Sequence, residues 1–323
     1  MGALPEIAAG FVTSLACAAF AGATPAQEPA TQVPAHDDPY APKPVAEDDA
    51  SPWSLSLSVT ATNAYIFRGI TEEDRGVIVQ PAAELDYLAH KGDGWLKEAS
   101  LGLGTFDSFH SGPTGTGGDT AESPKAWYEA DVYLVMHGTL DHGIGVAATW
   151  YEYTSPNSQF SAISEFDVAV DWDDGYLWND AFKIHPSIAI ARELHHQSEQ
   201  PDDPVGTHPG TWLGVGIAPE FTLLDLGDPG QESTSRPVTL VLPVLLNLSL
   251  DHYYEDASGN EDTFGALDVG AALDVPLPFL PEGLCQWSLD LGLHWLYFGD
   301  NMTEVHHGER TQWVASAGIS LSF

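Results

Sequence analysis

The sequence predicts an all-β chain that closes as a transmembrane antiparallel β-barrel of about twelve strands with up-and-down topology. Three observations predict it. Apolar residues recur with period two from residue 53 to the C-terminus, the alternating segments are long, and the connections between them alternate long with short.

The first alternating segment sets the pattern. Trp53, Leu55, Leu57, Val59 and Ala61 share one parity while Ser54, Ser56, Ser58, Thr60 and Thr62 share the other, which describes a strand with one apolar face. Val77, Val79, Ala83, Leu85 and Tyr87 then oppose Gln80, Glu84 and Asp86. Val132, Leu134 and Met136 oppose Glu129, Asp131 and His137, and Phe166, Val168, Val170 and Trp172 oppose Glu165, Asp167, Asp171 and Asp173. Further segments fall near 95–107, 143–154, 181–192, 211–224, 238–251, 264–275, 284–298 and 311–323, and no convincing helix is legible between them.

Soluble sandwiches and barrels point such apolar faces inward, whereas membrane barrels point them outward into lipid. Length separates the two. The segments run roughly 11 to 15 residues, longer than the usual five or six of soluble strands and enough to cross a bilayer when tilted. The connections include long stretches at 108–125 and 193–210, as long external loops and short turns on the opposite side require, and an even strand number returns both ends of the barrel to one side.

Aromatic residues near strand ends, Trp53, Tyr65, Phe67, Trp150, Tyr151, Trp287, Trp295 and Tyr297, are expected to form interfacial girdles. Pro81, Pro186, Pro219 and Pro243 fall inside proposed strands. A closed barrel has no free edge on which to place a missing N–H, so bulges or shifted boundaries are expected there. The last strand ends on Phe323, a terminal aromatic that resembles the assembly signal read by the barrel assembly machinery.

Ahead of the barrel, residues 7–23 form the only long apolar run and close on Ala21-Gly22-Ala23, the small-x-small pattern of a cleaved export signal, although Glu6 stands where a positive flank belongs. Residues 24–52 are rich in Pro, Ala, Asp and Glu without apolar periodicity, which describes a disordered periplasmic tether. The domain reading is therefore signal peptide 1–23, tether 24–52 and outer-membrane barrel 53–323, in a diderm bacterium, with membrane lipid as the first partner.

Charge narrows the function. Ten Lys+Arg against 47 Asp+Glu gives a formal net charge of -37, which repels a phosphate backbone and sets nucleic acid aside as a partner. A chain with 43% hydrophobic residues nevertheless carries too much apolar surface to be an acidic disordered tail. Two cysteines provide neither a disulfide framework nor a thiolate metal cage.

The stretch Leu55–Tyr87, with its core Ala64-Tyr65-Ile66-Phe67-Arg68-Gly69-Ile70 followed by a polar acidic loop, resembles the opening of the TorF-type porin family of outer-membrane barrels. The resemblance covers about a tenth of the chain. It departs at Asn63-Ala64, where the family usually carries Ser-Asp before the aromatic core. It implies an exported barrel with pore activity and no substrate.

No G-x-S-x-G, H-E-x-x-H or glycine-rich phosphate loop occurs, so neither an enzyme nor a cofactor is expected. Adjacent histidines at His195-His196 and His306-His307, with His208 and His110 in other loops, are weak candidates for a metal at the external mouth; solvated loop residues are the plainer expectation. The lumen parity carries the candidate selectivity residues Arg68, Glu84, Asp86, Glu129, Asp131, Glu165, Asp167 and Asp171. A low-dielectric wall lined by one sign of charge concentrates the opposite sign, so an open lumen should favour small cationic solutes. Arg68 is expected near the external end of the first strand, either paired with lumen carboxylates or taking part in selection. The competing expectation is a plugged barrel that conducts nothing and uses its acidic loops structurally or adhesively.

Overall fold

The computed structural model describes residues 51–116, 125–178, 182–196, 208–227, 236–256, 259–277 and 285–323. The signal peptide expected over residues 1–23, and the expected tether 24–52 except its last two residues, lie outside them. Within the described residues no helix is long and apolar enough to cross a membrane; the strands do so.

Twelve staves close into an antiparallel barrel. Six come first in the chain: β1 (Trp53–Thr62), β4 (Ile78–Lys91), β5 (Leu96–His110), β6 (Trp127–Leu140), β7 (Ile144–Thr154) and β8 (Ile163–Trp172). Three staves are broken in two: β9 and β10 (Phe182–Lys183, Ser187–His196), β11 and β12 (Thr211–Ile217, Glu220–Asp225), and β13 and β14 (Pro237–Val241, Val244–Asp251). β15 (Phe264–Pro276), β16 (Gln286–Phe298) and β17 (Thr311–Ser322) complete the set. The remaining two strands, β2 (Tyr65–Phe67) and β3 (Ile70–Glu73), pair only with each other.

Each stave pairs with its sequence neighbours, and β1 pairs with β17 from Ser56↔Ser322 to Thr62↔Ser316 to shut the ring. The terminal residue takes part: the Phe323 N–H donates to the Leu55 carbonyl at 3.0 Å, and the Leu55 N–H returns a bond at 3.4 Å. The long connections gather at one end of the barrel, the loop end. The short ones gather at the other, the turn end, with the first residue of β1 and the last of β17.

The prolines resolve as breaks. Pro186, Pro219 and Pro243 each sit between the two halves of a broken stave, in three neighbouring staves. Their carbonyls still accept, from Trp172, Leu242 and Gly270 at 3.1, 2.8 and 2.9 Å, so only the absent N–H groups interrupt the ladder. Pro81 remains inside β4, where the pairing with β5 skips two residues between Val79↔Phe109 and Ala82↔Phe106.

The two faces of the wall separate by chemistry. Val59, Leu85, Leu101, Leu103, Leu134, Met136, Val168, Ile188, Ile190, Val215 and Ile319 are exposed on the outside, while their polar neighbours are buried inside. An exposed apolar band around a closed sheet is the lipid-facing surface of a transmembrane barrel. Aromatic pairs rim that band: Trp53 with Tyr87 at the turn end (centroids 4.9 Å apart), and Phe109 stacked on Trp127 (5.8 Å) at the loop end.

Three expected girdle residues instead turn inward. Tyr65 and Phe67 are buried in the lumen because residues 64–73 leave the wall after β1 and fold back as the β2–β3 hairpin, and Tyr151 stays in β7 on its inward parity with Thr149 and Tyr153. The connections also hold short helical turns that periodicity does not reveal, at Pro113–Thr116, Gly175–Trp178 and Asp300–Val305.

Candidate functional site

The candidate site is the lumen, and its loop-end half is built around the hairpin tip. Arg68 adopts φ 47° and Gly69 φ 89°, the left-handed pair that a two-residue reversal between Phe67 and Ile70 needs. A Cβ on Gly69 would lie 2.6 Å from the Ala266 side chain, so the tip presses directly against the barrel wall.

Arg68 is fully buried. Its guanidinium donates as a fork to Glu165, Nη1 to Oε2 at 2.7 Å and Nη2 to Oε1 at 2.9 Å, and Nη2 also reaches Asp167 Oδ2 at 3.1 Å. Its planar face lies 4.3 Å from the Trp212 ring centroid, the arrangement that suits a desolvated guanidinium. Nη1 further donates to the Tyr253 hydroxyl at 3.1 Å, and the Tyr254 hydroxyl donates to the Arg68 carbonyl at 2.5 Å. Burial raises the Tyr254 phenol above its ordinary value, so it stays a donor.

The rest of the hairpin is tied down in the same way. The Tyr65 hydroxyl donates to Glu129 Oε2 at 2.9 Å, the Tyr128 hydroxyl to Glu72, and the Tyr153 hydroxyl to Glu165 Oε1 at 2.9 Å. Glu73 accepts from the Thr114 N–H and hydroxyl, both at 2.9 Å, and Thr114 continues through His110 Nδ1 at 2.6 Å to Ser108 at His110 Nε2, 2.7 Å. Thr71 Oγ1 meets His306 Nδ1 at 2.8 Å. Burial beside Phe298 pulls the His306 imidazole below its ordinary value. Ile66, Phe67 and Ile70 pack in one cluster with Tyr133, Tyr151, Tyr153, Trp212, Tyr253, Tyr254 and Phe298. The hairpin is therefore a plug, packed like a protein core.

The turn-end half carries charge with fewer partners. Glu84 accepts from the Tyr133 hydroxyl at 2.8 Å and lies 3.5 Å from His137 Nε2, with Asp86 at 3.9 Å from the same nitrogen. His185 Nε2 lies 3.3 Å from Glu220, and Lys183 pairs with Asp173 at 3.2 Å. Asp274 and Asp290 face each other in register across β15 and β16, each 4% exposed, beside the Ser288 and Ser320 hydroxyls and with no cation paired to them among the described residues.

All eight residues expected on the lumen wall are inside the barrel. They divide: Arg68, Glu129, Asp131, Glu165 and Asp167 lie in the plugged half, Glu84, Asp86 and Asp171 in the other. Lys97 pairs at the turn-end rim with Asp141 at 3.5 Å, away from the lumen acids.

Of the expected metal candidates, the two whose side chains are described, His306 and His307, take separate partners. His306 bonds Thr71, His307 Nε2 lies 3.7 Å from Asp74, and the side chains of His195 and His196 lie outside the described residues. A set that shares His208 with that expectation meets at the loop-end rim. His208, His252 and Glu255 bring one ligand atom each within 4.8 Å of one another, and the Glu255 carboxylate holds the His252 imidazole above its ordinary value. His252 was not singled out by its sequence context, because its neighbours are tyrosines and acids and not another histidine.

Comparison with known proteins gives distant architectural likenesses. An outer membrane channel from Pseudomonas putida F1 is 9% identical, with 85% of this chain and 97% of that chain covered and a TM-score of 0.48. The translocator domain of the autotransporter NalP from Neisseria meningitidis is 10% identical over 86% and 90%, with a TM-score of 0.43. The β domain of the Bordetella autotransporter BrkA is 11% identical over 84% and 99%, with a TM-score of 0.41. At that distance they do not speak to function. No family model matches the chain, and no curated protein matches it.

Proposed function

We propose that this chain is an outer-membrane barrel of TorF type that passes small cations and excludes bulky solutes. One observation carries the reading: an apolar outer wall encloses an inner wall whose charge is overwhelmingly carboxylate. Lipid solvates the first, and the second attracts cations into any water that enters. The plug sets the size limit, since the hairpin and the tyrosines around it fill the loop-end half.

The packing of that plug favours a second reading, a barrel that conducts nothing and serves as a structural or adhesive surface. Planar-bilayer recording separates the two. The first reading expects small unitary currents whose reversal potential in a salt gradient lies towards the cation value, together with exclusion of sugars in liposome swelling. Silent membranes from protein with heat-modifiable gel mobility would support the second. Recovery as a folded soluble monomer would overturn both.

A further inference from the structure

We propose a transition-metal site at the loop-end rim, formed by His208, His252 and Glu255, with Glu261 adjoining it. Glu255 is buried, and its Oε1 lies 3.5 Å from His208 Nδ1 and against His252 Nδ1. The same His252 nitrogen is 2.8 Å from Glu261 Oε1. The two imidazole rings lie 4.9 Å apart, centroid to centroid. Two imidazoles and one carboxylate from two separate loops thus bring one ligand atom each within 4.8 Å of one another, with Glu261 beside His252.

The loop that presents them is shaped before any ion arrives. Glu255 and Glu261 form a backbone bridge, and between them the Asp256 carboxylate accepts from the Asn260 N–H at 2.8 Å and its side-chain amide at 2.7 Å. His252 is held at φ 54° at the head of this turn. Tetrahedral zinc, with bonds of about 2.0–2.1 Å, separates its donor atoms by about 3.3 Å, so donors already within 4.8 Å need only a small contraction. Asp251, 3.4 Å from His252 Nε2, is engaged by Arg192 at 2.8 Å and stands aside.

Ligand chemistry selects the ion. Nitrogen donors favour zinc, copper or nickel over calcium and magnesium, which take oxygen shells. The site adjoins the plug, because the next two residues after His252, Tyr253 and Tyr254, are those bonded to Arg68. An ion here would fix the loop that holds the hairpin tip.

The test is calorimetric titration of the refolded full chain in detergent with Zn2+ alone. Saturable binding of an ion that tenfold Mg2+ does not displace is expected. His208→Ala/His252→Ala should weaken it by at least about 100-fold, and the near-isosteric Glu255→Gln, chosen to keep the loop folded, by about tenfold or more. A variant lacking His195, His196, His306 and His307 should retain it. Absence of saturable binding, indifference to both rim variants, or loss only in the four-histidine variant would overturn the assignment.

Discussion

The two halves of the lumen use the same residue type in opposite ways. At the loop end, Glu72, Glu73, Glu129, Glu165 and Asp167 are each bonded to a tyrosine, a threonine or Arg68. At the turn end, Asp274 and Asp290 confront one another beside the Ser288 and Ser320 hydroxyls, with no paired cation among the described residues. A carboxylate neutralised by a guanidinium holds structure together, whereas a facing pair with no cation beside it keeps at most one charge between its two carboxyls and turns that charge to the lumen. Acidic lining alone therefore does not identify a selectivity region; the partners of each acid do.

The largest expected effect breaks the first half. Arg68→Ala leaves Glu165 and Asp167 buried without their cation, and losing one side of a buried ion pair costs about 3–5 kcal/mol. Urea unfolding of the barrel in lipid should show that loss, with much of it restored when Glu165→Gln and Asp167→Asn are added. A smaller effect comes from Tyr254→Phe, which removes the donor to the Arg68 carbonyl and should cost about 1–3 kcal/mol by the same measurement.

The smallest sharpens the contrast through pH. His306 is held below its ordinary imidazole value in the folded chain, with Asp74, Glu309 and His307 around it. The unfolded chain then binds the extra proton first, so the stability it contributes is present above pH of about 6.5 and is lost as pH falls below it. Loop-end stability should decline on acidification from pH 7 to 5. His306→Gln should flatten that slope, as amide exchange of residues 70–73 would report.

Much of this was legible in sequence. The strand number, the outward parity and the inward position of every lumen acid followed from period two, because a one-residue slip would place a whole face in the wrong medium. The four strand prolines also announced irregularity, three of which became breaks at matching positions in neighbouring staves. The hairpin did not show. Ala64-Tyr65-Ile66-Phe67 at a strand end reads equally as interfacial girdle or as plug, and the residues that decide the matter, Glu165, Trp212 and Tyr253, lie far along the chain. The rim cluster was half legible for the same reason: His208 stood out as a loop histidine, but its partners His252 and Glu255 come from a different loop.

The most direct test compares reversal potentials, in a gradient of dilute salt, for two multi-residue variants of the conducting barrel. One replaces Glu84, Asp86, Asp274 and Asp290 by Gln or Asn, and the other replaces Glu129, Asp131, Glu165 and Asp167 likewise together with Arg68→Gln, so that no buried cation is left unpaired. Screening is weak below about 0.1 M salt, where the Debye length exceeds about 10 Å, so wall charges act over the lumen width. The account predicts that the first variant loses most of its cation preference and the second keeps most of it. Equal shifts from both variants, or a shift only from the second, would contradict it.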